Sequence, residues 1–236
     1  MSWSWAYYAA YATQFLPLLA AIWARQRLDT ARKGALVWAC LLLATNVLAL
    51  GVALTHRNNL WIGYTINPLL AAVGLWTLAQ WQVHSLSRFA LQLLIPLYLL
   101  STILLTLTVE DLGDFSRVTG PFTSLLLLGV SLYTVSVRSL EEATHLHGAD
   151  WFWIGMALAL FYGSDAALGP FARVLLRDRP DLVMAAYNLR AVIAVLVSFA
   201  LARGFLCPSP PMISGGSSSP RSSRSSSSLS PSAWRS

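Results

Sequence analysis

Charge is scarce in this chain: of its 236 residues only 11% are Asp, Glu, Lys or Arg, and Lys33 is the single lysine. No ordinary water-soluble domain is built so sparingly, and 56% of the residues are hydrophobic, with a mean hydropathy of +0.58. The composition points to an all-α, polytopic membrane protein with no room for a large water-soluble domain. Lys33 sits in a loop, so no membrane lysine is present to form the Schiff base that retinal needs. Only one acid, Asp165, falls inside an apolar segment. Intramembrane chemistry with two carboxylates sharing a proton is therefore excluded. Cysteine is nearly absent too: Cys40 lies within a span and Cys207 at the end of one, which suits neither a disulfide nor a metal motif.

What is abundant is apolar sequence in lengths suited to crossing a bilayer, about 20 residues each. Residues 1–207 read as a bundle of seven transmembrane helices: Tyr7 to Ala24, Gly34 to Leu54, Leu60 to Gln82, Phe89 to Thr108, Thr119 to Val137, Trp151 to Ala172 and Leu182 to Leu201. Trp3, Trp5, Tyr7, Tyr8 and Tyr11 open the first as an interfacial aromatic belt. No basic stretch precedes them, so a cleaved signal peptide is not expected.

Arg25, Arg27, Arg32 and Lys33 follow the first segment, whereas the next loop carries only Arg57 and the fourth loop is acidic, "EDLGD". Positive loops face the cytosol, which sets the N-terminus outside and the C-terminus inside. Arg203, Arg221, Arg224 and Arg235 agree, while the loop with Arg173, Arg177 and Arg179 disagrees. The formal net charge of +6 follows from this placement, so no nucleic-acid partner is expected. Residues 208–236, rich in Ser, Pro and Arg, bury too little to offset ordering entropy and read as a disordered cytosolic tail. No internal repeat divides the seven segments into halves.

Polar residues inside the spans are few, and their depths can be compared at about 1.5 Å per residue. Asp165 lies about 20 Å from the cytosolic end of the sixth span and Arg190 about 12 Å from the outer end of the seventh. In a core about 30 Å thick these are nearly one level, which predicts an ion pair. Asn46 and Asn67 fall at similar outer depth, with Tyr64, Thr65 and Asn188 close by in sequence and Pro68 removing a backbone donor. Two uses of this group stay open, a ligand pocket facing outward or hydrogen bonding between helices. Gly155, Ala159, Gly163 and Ala167 recur every four residues, the pattern of close helix packing.

Several motifs carry residue types with recognisable chemistry. "EEATHLHGAD" collects Glu141, Glu142, His145, His147 and Asp150, residue types that bind zinc or activate water. It resembles the paired glutamates of CaaX-type membrane proteases, but Leu146 stands where their downstream arginine belongs, and a solvated cytosolic loop is the expectation. "YTINPLL" resembles the third-helix pattern of microbial rhodopsins, which the missing lysine excludes. "ALFYGSDAAL" and "MAAYNLRAVIAVL" resemble the last helices of lysoplasmalogenase-like membrane proteins, which implies a catalytic role for Asp165. That family's second aspartate belongs to a Gly-Asp motif inside a helix, whereas Gly113 and Asp114 fall in a loop.

Four longer stretches, "RNNLWIGYT", "DFSRVTGPFTSLLLLGVSLYTV", "DWFWIGMALALFYGS" and "ALARGFLC", occur in order and resemble a family of uncharacterised bacterial seven-helix membrane proteins. Members often carry an acid near the position of Asn67 and Pro68. The resemblance implies a multi-pass protein of the bacterial inner membrane and no particular activity. The expected function is a receptor-like or accessory sensing module, with the lipid bilayer and a cytosolic signalling protein as partners and no cofactor. A lysolipid enzyme using Asp165 is the second expectation. A small-solute transporter or channel is the third, since the inner halves offer only Gln80, Gln82 and Tyr133 as polar lining.

Overall fold

The computed structural model describes residues 5–55, 60–110, 116–141, 146–178 and 180–208. Residues 209–236, expected as the tail, lie outside the described residues, as do Trp3, Arg57, Gly113, Asp114, Glu142, His145 and Arg179. The described residues form eight α-helices and no strand: α1 (Trp5–Thr13), α2 (Leu16–Trp23), α3 (Thr30–Leu54), α4 (Leu60–Gln80), α5 (Ser85–Thr108), α6 (Thr119–Glu141), α7 (Asp150–Asp178) and α8 (Pro180–Leu206). Six of them, α3 to α8, are long and apolar enough to cross a membrane.

The expected first span is broken into α1 and α2. Pro17 explains the break: it has no N–H for the Thr13 carbonyl, and its ring crowds that carbonyl. The chain turns at Gln14 and Phe15 instead. The Thr13 hydroxyl donates to the Ala10 carbonyl at 3.1 Å, and the Phe15 N–H to the Ala12 carbonyl at 3.3 Å. Both short helices pack on α8.

Most other boundaries extend beyond the apolar stretches, because helical hydrogen bonding continues into polar sequence. Asp29 caps α3 by accepting the Arg32 N–H at 2.8 Å. Helix α7 runs on to Asp178, so Arg173 and Arg177, expected in a loop, are helical. Helix α8 opens on Pro180, whose missing N–H has no partner to lose in a first turn.

From α3 to α8 successive helices alternate in direction. The starts of α3 and α7 therefore meet the ends of α4, α6 and α8 at one end of the bundle, marked by Arg32. The starts of α4, α6 and α8 meet the ends of α3, α5 and α7 at the other, marked by Glu110. The core runs from mid-bundle to the Arg32 end, where Trp38, Leu75, Leu78, Ile154, Leu158, Leu201 and Phe205 are buried. In lipid, close van der Waals packing holds helices together, because the tails are as apolar as leucine. Two glycines permit it: a Cβ on Gly34 would lie 2.5 Å from Thr77 Oγ1, and one on Gly204 2.5 Å from Ile154 Cγ1. Gly155 and Gly163 turn toward Val135 and Leu128 of α6, leaving Asp165 on another face of α7. Helix α5 packs chiefly on α4. Its stripe of Leu93, Leu97, Leu100, Leu104 and Leu107 is exposed, an apolar face compatible with lipid.

Candidate functional site

Toward the Glu110 end the packing opens. Helices α4, α6, α7 and α8 part around a cavity of about 220 Å³, lined by Asn67, Thr123, Ser124, Tyr162, Asp165, Tyr187 and Arg190 among others. Its base is rigid. The Trp38 indole N–H donates to the Tyr162 hydroxyl at 3.2 Å, and the Trp38 ring meets Phe161 edge-on with centroids 5.1 Å apart.

Asp165 and Arg190 form the expected ion pair, Oδ1 to Nη2 at 2.8 Å. The pair is part of the cavity wall and not of the core: 25% of the Asp165 side chain and 48% of the Arg190 side chain remain accessible. Among the described residues no other side chain or backbone group hydrogen-bonds to the Asp165 carboxylate. Arg190 spends one nitrogen of its fork on Asp165, and the guanidinium has further N–H groups to offer.

Two more cavities touch Arg190. One of about 260 Å³ shares Asn67, Ser116, Gly120 and Thr123 with the first and adds Tyr64, Thr102 and Thr106. The other, of about 340 Å³, is formed with α1, α2 and α3 and includes Tyr11, Gln14 and Asn46. Of the six predicted polar residues, then, Asn67, Asp165 and Arg190 share one cavity. Tyr64 lines its neighbour. Asn46 lines the third and donates to Gln14 Oε1 at 3.0 Å. Asn188 lines none of the three, and Thr65 turns back on its own helix to the Ile62 carbonyl at 3.0 Å. Depth arithmetic fixes a residue's level, but 3.6 residues per turn fixes its direction, so residues at one level face different neighbours.

Glu110 was expected only as part of an acidic loop, and the structure gives it a defined task. Its carboxylate accepts the backbone N–H groups of Arg117 (2.9 Å), Val118 (2.9 Å) and Thr119 (2.8 Å), and the hydroxyls of Ser116 (3.0 Å), Thr119 (3.0 Å) and Tyr64 (3.3 Å). It satisfies the orphan donors at the start of α6 and offers a negative charge to the positive end of that helix. Burial by itself would push the carboxyl up. The N–H groups of Arg117, Thr119 and Val118 and the Thr119 hydroxyl outweigh it and hold the group at about 2. Ser116 and Thr119 belong to both this clamp and the second cavity, so Glu110 braces one wall of it. An acid shortly before a Ser/Thr pair at a helix start was the signal available in the sequence.

The Arg32 end corrects another expectation. Asp150 does not lie in a solvated loop, and Arg32 is not simply a cytosolic surface charge. Arg32 Nε meets Asp150 Oδ2 at 2.7 Å with side-chain exposures of 0% and 8%, and the Trp151 N–H donates to Asp150 Oδ1 at 2.9 Å. His147 is exposed, and among the described residues no three His, Cys, Asp or Glu side chains converge. Two of the three polar candidates for an inner conduit, Gln82 and Tyr133, have neighbours of their own. Gln82 is buried and donates to Thr134 Oγ1 at 2.8 Å, while Tyr133 sits on the exterior near Ser87 at 3.5 Å.

Comparison of the chain with protein-family models, curated proteins and solved structures gave no match.

Proposed function

We propose that the protein is a receptor-like or accessory sensing module that binds a small polar ligand in the Asp165–Arg190 cavity. In this reading α1 and α2 together make the seventh crossing, the N-terminus is outside and the C-terminus is cytosolic. The host membrane is the bacterial inner membrane implied by the family that the chain resembles. One observation carries the proposal: an intramembrane ion pair stands in the wall of an open cavity, above a packed base, with carboxylate and guanidinium both accessible. Polar groups at such depth that lack full partners are a recurring mark of ligand and ion sites. The packed Arg32 half and the spent Gln82 side chain favour binding over conduction. A cytosolic partner would read changes at the Arg32 end, where the starts of α3 and α7 meet the ends of α4, α6 and α8.

The test is a screen of small polar metabolites against the purified protein in nanodiscs, followed by thermal unfolding. A ligand that raises the midpoint of the wild type but not of Asn67→Leu, which keeps the side-chain shape and removes its hydrogen-bonding groups from the cavity wall, supports the reading. Failure of every compound to move the midpoint refutes it. Lysolipid turnover by the same preparation would move the protein into the enzyme class.

A further inference from the structure

We infer that the Asp165–Arg190 cavity takes a small zwitterion, a molecule with an ammonium and a carboxylate or phosphate joined by a short spacer. The inference rests on the ligand-binding reading above and adds the chemical class.

Charge balance comes first. The wall already holds one fixed anion and one fixed cation in contact at 2.8 Å. A ligand with net charge would leave an uncompensated charge in a low-dielectric bundle, which is unfavourable. A zwitterion keeps the site neutral. Its ammonium lies against the Asp165 carboxylate, which has Arg190 alone as an ion-pair partner among the described residues. Its anionic group meets the remaining N–H groups of the Arg190 fork, a geometry suited to two oxygens at once. The result is a ring of four alternating charges in place of two.

Size and lining agree. A volume of about 220 Å³ holds a molecule on the scale of a free amino acid or a lipid headgroup. Asn67, Thr123 and Ser124 supply neutral donors and acceptors, while Tyr187 and Phe161 provide apolar and aromatic surface for whatever the spacer carries. Glu110 is turned away into the start of α6, so its charge is committed to that helix and does not bias the cavity toward a bare cation. A free zwitterion and a zwitterionic lipid headgroup share this chemistry, and the experiment separates the two sources.

The full chain is placed in phosphatidylglycerol nanodiscs, which carry no ammonium headgroup. Glycine, L-serine, L-phenylalanine and lysophosphatidylethanolamine are each titrated and Kd is read calorimetrically, with choline chloride, sodium acetate and myo-inositol as controls. At least one zwitterion binds saturably, and choline and acetate bind at least tenfold more weakly. Asp165→Asn and Arg190→Gln each weaken the zwitterion at least tenfold. Asp165→Glu, which keeps the charge, stays within about threefold of the wild type and shows that the loss in Asp165→Asn is not misfolding. Binding of a free amino acid assigns a soluble ligand, and binding of the lysolipid alone assigns a headgroup. Choline or acetate binding as tightly as any zwitterion overturns the class while leaving a ligand cavity in place, as does binding of inositol alone. An unchanged zwitterion Kd in Asp165→Asn also overturns it. If no probe binds and the metabolite screen is silent, the ligand-binding reading falls with it.

Discussion

Removing the Asp150 carboxylate should destabilise the protein more than removing its partner's charge, and the structure sets the sizes. Arg32 is fully buried, and Asp150 Oδ2 meets its Nε at 2.7 Å. Asp150→Ala leaves that guanidinium in the interior without a carboxylate, a change worth about 3–5 kcal/mol. It also removes an acid from the first turn of α7, worth about 0.3–1 kcal/mol more. Arg32→Met acts differently. Asp150 keeps the Trp151 N–H at 2.9 Å and its favourable place at a helix N-terminus, while methionine fills part of the space of the arginine stem. A loss of about 1–3 kcal/mol is expected there. The double variant should cost well under the sum, with a coupling of about 2 kcal/mol, because neither buried charge remains to be orphaned. Unfolding in mixed dodecylmaltoside–SDS micelles, followed by tryptophan fluorescence, measures all three. Additivity within about 0.5 kcal/mol would refute the reasoning, since independent sites behave that way.

Glu110 predicts a pH dependence. Its carboxyl is held at about 2 in the folded protein against an ordinary 4.5, so its contribution is complete above 4.5 and drains away as pH falls toward 2. Glu110→Gln should flatten that part of a stability–pH profile, and a profile parallel to the wild type would count against the clamp. At neutral pH, Glu110→Ala should cost about 1–2 kcal/mol, the scale of losing a helix N-cap, read from the same unfolding assay. Gly34→Ala places a methyl 2.5 Å from Thr77 Oγ1 and 2.6 Å from the Trp76 ring and should cost about 1–3 kcal/mol. Gly129→Ala meets nothing within 4 Å on an exposed helical face and should be neutral or stabilising by up to about 1 kcal/mol. Equal losses at the two glycines would contradict the packing described for α3 and α4.

Composition made the helical, membrane-compatible architecture legible, because runs of leucine, alanine and valine of bilayer length have few other uses. Pro17 was equally visible, yet its effect was not. A proline near a helix start and a proline that splits a span look alike until neighbouring bonds are known. The Asp165–Arg190 pair was readable because both residues are rare in such sequence and lie at one depth on consecutive helices. Asn46 and Asn67 also lie at one depth, but they face different cavities, and rotation about a helix axis does not follow from depth. Arg32 and Asp150 stayed hidden for a different reason. They sit 118 positions apart at helix starts, where positive-inside counting treats an arginine as surface charge and has no means of finding a partner.

The two ion pairs of this bundle have the same chemistry and opposite surroundings. Arg32 and Asp150 are sealed, with the Arg27 carbonyl and the Trp151 N–H adding bonds to the pair, and such a pair serves to hold the starts of α3 and α7 in place. Asp165 and Arg190 are left partly open in a cavity wall, on helices apolar enough to cross a membrane, a setting in which an incompletely paired charge is unfavourable. If helix pairing were their sole use, burying them as Arg32 and Asp150 are buried would serve better. The cavity in front of them works against that use, because it removes packing atoms that would stabilise α7 against α8. An arrangement that gives up stability at one place, above a base as well packed as Trp38, Phe161 and Tyr162, is what a binding site requires.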